Sequence, residues 1–262
     1  TGTLEGFFSK NINEINYTNI NLLPPVGKAV GPDTRNVYST VNNAKIPINA
    51  DGSNPYDNAI LLSNNTDKTG FAYGTTISLT KRTRPNFTFE VNYSYGNSFT
   101  LNEGTSSVNL SQWRFMETVN GRNYITRSIS DFSAGNRIFA YLSKKFEYAN
   151  KSLATTITLA YTGQSGSPLS YVYGSGSMTR DDGLAGGNDL IYVPTVGDLA
   201  NMTFVTGSGV TAAPDVQKAA LNNYIQNDEY LRNRRGQYAE RNGSRLPFTN
   251  IVDLKIAQDF NI

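Results

Sequence analysis

The chain has 262 residues, with 23 Lys and Arg against 21 Asp and Glu, and it contains neither histidine nor cysteine. Those absences remove the usual neutral-pH general base, the commonest zinc ligand, nucleophilic triads, disulfides and iron-sulfur ligation. A net charge of only +2 argues against a dedicated nucleic-acid binder, and no carboxylate pair stands in a catalytic motif, so the chain is read as a non-enzyme.

In chain order, LEGFFSKNINEINY (4–17) reads as a first strand, irregular and bulged. FAYGTTISLTK follows after a long interval, with Phe71, Tyr73, Thr75, Ile77 and Leu79 on one face and Ala72, Gly74, Thr76, Ser78 and Thr80 on the other. A turn at Pro85 and Asn86 leads into FTFEVNYSYG, where Phe87, Phe89, Val91, Tyr93 and Tyr95 alternate with small or polar residues. RIFAYLSKKFEY repeats the arrangement with Ile138, Ala140, Leu142, Phe146 and Tyr148, Lys144 being the exception. A short turn at Asn150 joins it to LATTITLAYTG, whose apolar face carries Leu153, Ile157, Leu159 and Tyr161. PDVQKAALNNYIQNDEYL (214–231) is the one helical stretch, with Pro214 suited to a first turn and Val216, Ala220, Leu221, Tyr224 and Ile225 on one side. The last strand, FTNIVDLKIAQDF, opposes Val252, Leu254, Ile256 and Phe260 to Asp253, Lys255, Ala257 and Asp259.

No run approaches the roughly 18 apolar residues of a membrane-crossing helix, but barrel strands cross membranes with alternating patterns that average out. The connections decide between architectures. Two are tight turns and three are long, about residues 18–70, 98–136 and 164–247. Such loops count against a compact soluble β-sandwich, the other architecture whose strands alternate. Short turns at one end and long loops at the other suit an antiparallel transmembrane β-barrel, with both chain ends on the periplasmic side. The aromatic ends of the apolar faces suit the girdles at membrane interfaces. About six strands cannot close a membrane barrel, the smallest of which has about eight, so the chain is expected to be part of a larger one. The opening residues also lack the features of a signal peptide.

Four collinear segments carry a family resemblance: YTGQSGSPLSYVYG (161–174), GNDLIYVP (187–194), LRNRRGQYAERNGSRLPF (231–248) and VDLKIAQDF (252–260). In order and spacing they resemble the C-terminal half of Oar-like TonB-dependent receptors of the Gram-negative outer membrane. The resemblance implies that residues 1–262 are one domain, a portion of a barrel of about 22 strands, with the plug and the remaining strands absent. It implies uptake of a nutrient ligand, with outer-membrane lipid and the TonB complex as partners, the latter through the absent plug. A non-transporting outer-membrane surface protein, for adhesion or assembly with a partner lipoprotein, is the alternative. Asn136-Arg137 stands where members often have His-Arg, a departure that bears on any ligand assignment.

Two polar stretches are candidate sites. TRDDGLAGGNDL offers Asp181, Asp182, Asn188 and Asp189 as oxygen ligands for calcium, although EF-hand spacing and its closing glutamate are missing and a polar loop is the other reading. GSGSM (174–178) lacks the third glycine of a dinucleotide fingerprint and reads as loop. RNRRGQYAERNGSRLPF packs five arginines between the helix and the last strand. Arg234, Arg235 and Arg241 are expected to fasten this loop to the barrel wall or plug, with capture of an anionic ligand as the alternative.

Overall fold

The computed structural model describes every residue except 52, 54–57, 68, 84–85, 175–176, 183–187 and 261–262. Strand accounts for 43% of the chain and helix for 14%, which makes it an all-β protein with antiparallel pairing. Among the described residues six long strands form a meander: β1 (Gly2–Lys10), β2 (Phe71–Thr83), β3 (Phe87–Thr100), β4 (Gly135–Tyr148), β5 (Leu153–Gln164) and β6 (Thr249–Phe260), each paired with the next. A short strand, Ser128–Ile129, adds to the loop end of β3. The sheet is open, with β1 and β6 at its edges.

Alternation along each strand and direct register between strands together make two continuous faces. One row runs Leu79, Val91, Ala140, Tyr161, Val252, and the next Phe89, Leu142, Leu159, Leu254. The opposite face is polar: Thr76 and Ser94 hydroxyls meet at 3.1 Å, Ser143 and Thr158 at 3.0 Å, and Lys145 pairs with Asp259 at 2.9 Å. The tight hairpins rely on left-handed backbone, at Asn86 and at Ala149, Asn150 and Lys151. The expected turn residue Pro85 lies outside the described residues.

Burial separates the molecule into two parts. Among the described residues only Ala154 of the buried apolar side chains belongs to the six strands; Tyr38, Leu101, Trp113, Leu190, Val193, Ile225 and Leu231 all lie in the long connections. These connections leave the same end of the sheet and fold together into a body with its own core. Each of its buried apolar side chains contributes roughly 1.5–3 kcal/mol. The apolar sheet face stays uncovered, with Leu254 65% and Ile256 66% exposed.

Two expectations are corrected. The first strand does not continue to residue 17: it ends at Lys10, and Glu14–Asn19 pairs with Ile60–Asn65 in the loop body. The buried Glu14 carboxylate causes the departure, because it accepts hydrogen bonds from the Gly70 amide, the Thr100 hydroxyl and the Leu101 amide at the tops of other strands. Nor is there one helix. The described residues contain α1 (Asn109–Arg114), α2 (Val196–Asn201), α3 (Pro214–Asn227) and α4 (Glu229–Arg232). The extra helices are too short to show a 3.6-residue period. Asp228 splits the expected 214–231 stretch by adopting extended backbone and capping the Leu231 amide. On α3, Ile225 is buried against Val193 and Leu231, whereas Val216 and Tyr224 are exposed.

Candidate functional site: an arginine-braced loop body

The loop body is assembled around side chains that join segments far apart in sequence. Trp113 on α1 is buried, and its indole donates to Asn123 at 2.8 Å. Lys45 and Arg122 lie over its ring, 5.2 and 5.8 Å from the centroid. Burial pulls the Lys45 ammonium below its ordinary pKa, against the attraction of Asp182 and Asp181. Two of the long connections therefore meet at this ring, and the third joins them through Asp181, whose carbonyl lies 3.5 Å from Lys45 Nζ and whose carboxylate pairs with Arg122.

The four acidic-loop candidates are used within this framework. Asp181 accepts from the Arg122 amide at 2.6 Å and pairs with the Arg122 guanidinium. Asp182 pairs with Arg114, and the Asn188 side chain donates to the Arg114 carbonyl at 2.9 Å. Asp189 accepts from the Thr179 hydroxyl at 2.8 Å and from the Met178 amide at 2.5 Å. The same Thr179 hydroxyl lies 3.1 Å from Asp181. Among the described residues no group of three or more acidic side chains converges as a cation site requires. The carboxylates face guanidinium groups and amides instead. Residues 183–187 of that stretch, and 175–176 of GSGSM, lie outside the described residues.

The three singled-out arginines occupy different environments. Arg241 is 3% exposed and donates to the Leu101 carbonyl at 2.9 Å and the Thr100 carbonyl at 2.7 Å, tying the last loop to the top of β3. Burial lowers its pKa from the ordinary arginine value, opposed by Glu103, Glu117, Asp131 and Glu14 around it. Arg235 donates to the Pro194 carbonyl at 3.0 Å and the Asn222 side chain at 2.7 Å, joining α3 to the chain before α2. Arg234 pairs with Glu240, stacks on Tyr230 at 5.5 Å, and borders an open polar cleft of about 580 Å³ that Asp228 and Arg245 also line.

Sequence reasoning missed four further braces. Arg35 is fully buried between the Tyr173 and Tyr238 rings, 5.2 and 5.3 Å from their centroids, and pairs with Asp33 at 2.9 Å. Its guanidinium reaches the Leu190 carbonyl at 2.6 Å. Arg114 and Arg122 brace the acidic loop, and Arg245 donates to the Ser133 carbonyl at 3.0 Å and the Gly166 carbonyl at 3.1 Å. Arg245 stands within the arginine run and was legible there; Arg35, Arg114 and Arg122 are isolated in sequence and carry no local signal. No protein-family description, curated protein or solved structure matches this chain.

Proposed function

We propose that the six strands are consecutive staves of a larger membrane-spanning β-barrel. On this reading the polar face lines the lumen, the apolar face meets lipid, and the loop body stands at the outer surface of the outer membrane. The observation that carries it is the continuous apolar face, left exposed over a width of six strands. Soluble monomers rarely expose so large an apolar patch.

Within that architecture we assign the chain to a TonB-dependent receptor that takes up a nutrient ligand. The segments resembling Oar-like receptors support this, as does the gathering of all long loops at one end. The seven arginines from Arg35 to Arg245 hold those loops in one arrangement, and Arg234 beside its open cleft is the one best placed to meet an anionic ligand. The folded, braced body also favours a second reading, a fixed surface for adhesion or for a partner lipoprotein.

The absence of cysteine permits a direct test of the membrane reading. Single cysteines at Leu159 and Ala160, neighbours on opposite faces of β5, are introduced into the whole reading frame and exposed to a water-soluble maleimide in isolated outer membranes. Labelling at residue 160 with protection at residue 159 is expected; equal labelling refutes the barrel. Transport is separated from surface display by ligand uptake in cells with and without TonB.

A further inference from the structure

The geometry points to a binding site for the phosphate-bearing headgroup of a membrane lipid, on the outer surface of the sheet where β2 and β3 enter the loop body. This inference rests on the barrel reading, which makes that surface the outer-leaflet boundary.

An aromatic group marks the level. Phe71 lies between Phe99, at 4.6 Å between ring centroids, and Phe8, at 6.3 Å, and Tyr73 continues the row at 6.3 Å. Such rings collect where hydrocarbon gives way to headgroups. Directly above them is a pocket of about 410 Å³ bordered by Phe71, Phe99, Arg127, Ile129, Glu240 and Arg241. The guanidinium of Arg127 lies 5.1 Å over the Phe71 ring and donates through one nitrogen to the Thr69 carbonyl at 3.1 Å, and its other donors have no hydrogen-bond partner among the described residues. Lys10, opposite Phe71 in the register, is exposed and has no partner among the described residues.

The inner wall is formed by a side chain that is already committed. Arg241 is 3% exposed, yet its Nε is buried with no hydrogen-bond partner among the described residues. That Nε is shut off from the pocket as well as from solvent, so Arg241 closes the inner wall and leaves ligand contact to Arg127 and Lys10. Glu240 is the one carboxylate on the pocket wall, and it is paired with Arg234. A guanidinium and an ammonium beside an aromatic floor suit a phosphate monoester whose acyl chains continue down the apolar face. At the other end of that face lie Lys81 and Lys144, the latter 5.8 Å over the Phe146 ring.

The test uses protein from the whole reading frame, folded into phosphatidylcholine vesicles with and without a minor fraction of phosphatidic acid. After detergent extraction, the lipids retained by the protein are counted by mass spectrometry. Enrichment of phosphatidic acid over its share of the vesicle is expected. Arg127→Ala should reduce that enrichment about tenfold, the weight of one charge-assisted phosphate contact. Lys10→Ala should reduce it less, and Lys81→Ala should leave it unchanged. Should Arg127→Ala fail to give a heat-modifiable folded band, Arg127→Gln replaces it, since it retains a donor for Thr69. Undiminished enrichment in a folded Arg127 variant overturns the site. Displacement of the lipid by excess inorganic phosphate identifies free phosphate as the ligand and also overturns it. If wild type folds into neither vesicle, the barrel reading falls and takes the site with it.

Discussion

Asp181 holds Arg122 at two points, accepting from its backbone amide at 2.6 Å and pairing with its guanidinium, although 59 residues separate them. Both side chains are buried, at 0% and 1% exposure. Replacing one member of such a pair strands the other charge in a poorly solvated site. Asp181→Asn should therefore destabilise the loop body by about 3–5 kcal/mol, measured as faster proteolysis of the long loops in folded protein.

The same commitment of carboxylates bears on calcium. With Asp181 and Asp182 paired to arginines, and Asp189 occupied by Thr179 and Met178, added calcium should leave the unfolding temperature of the loop body unchanged, and so should a chelator. A chelator-dependent drop in that temperature would restore the calcium reading.

The arginines of the last loop should differ in weight. Arg241→Ala leaves the Thr100 and Leu101 carbonyls without their buried donor and should cost about 2–4 kcal/mol. Arg234→Ala removes a pair whose carboxylate is 56% exposed and should cost no more than about 1 kcal/mol. Equal proteolytic resistance of the two variants, with loss of uptake of an acidic ligand in the Arg241 variant, would favour ligand capture over fastening.

The proposed lipid-facing band makes a graded prediction. Leu159→Lys, in register with Leu142 and Leu254, lies near its centre and should cost about 2–4 kcal/mol of folding into lipid. Ile157→Lys should cost less, because Ile157 sits opposite Lys144, close to the edge of the band. Ala160→Lys points into the polar face opposite Asp253 and should be mildest. Folding titrations in vesicles, with urea as denaturant, give all three numbers; the same cost at 159 and 160 would refute the assignment of faces.

Burial raises the pKa of Glu117 above the ordinary glutamate value, against the pull of Arg241 and the Ser170 hydrogen bond and with the help of Asp131. A carboxyl whose folded pKa is raised contributes stability that is complete below the unfolded pKa and lost as pH rises through the folded one. Glu117→Gln removes that loss. The variant should therefore gain on wild type as pH rises above the ordinary glutamate pKa of about 4, measured by thermal unfolding of the loop body. A difference that does not change with pH would show that Glu117 ionises freely.

Local pattern determined the sheet. Phe71 to Leu79, Phe87 to Tyr95 and Leu153 to Tyr161 alternate with period two, and a strand's two faces follow directly from that period. The order of short and long connections suited antiparallel strands laid side by side in chain order, and the observed pairing follows that order. Tertiary structure alone decided the loop body. Its residues carry no period, and its braces join partners such as Arg35 with Leu190, 155 residues apart, and Arg241 with Thr100, 141 residues apart. A guanidinium forms such bonds only with carbonyls that the folded chain brings within reach, so an isolated arginine gives no local sign of its partner. For the same reason Glu14 looked like part of a first strand, although its carboxylate, bonded to Gly70 and Leu101, turns the chain away from the sheet.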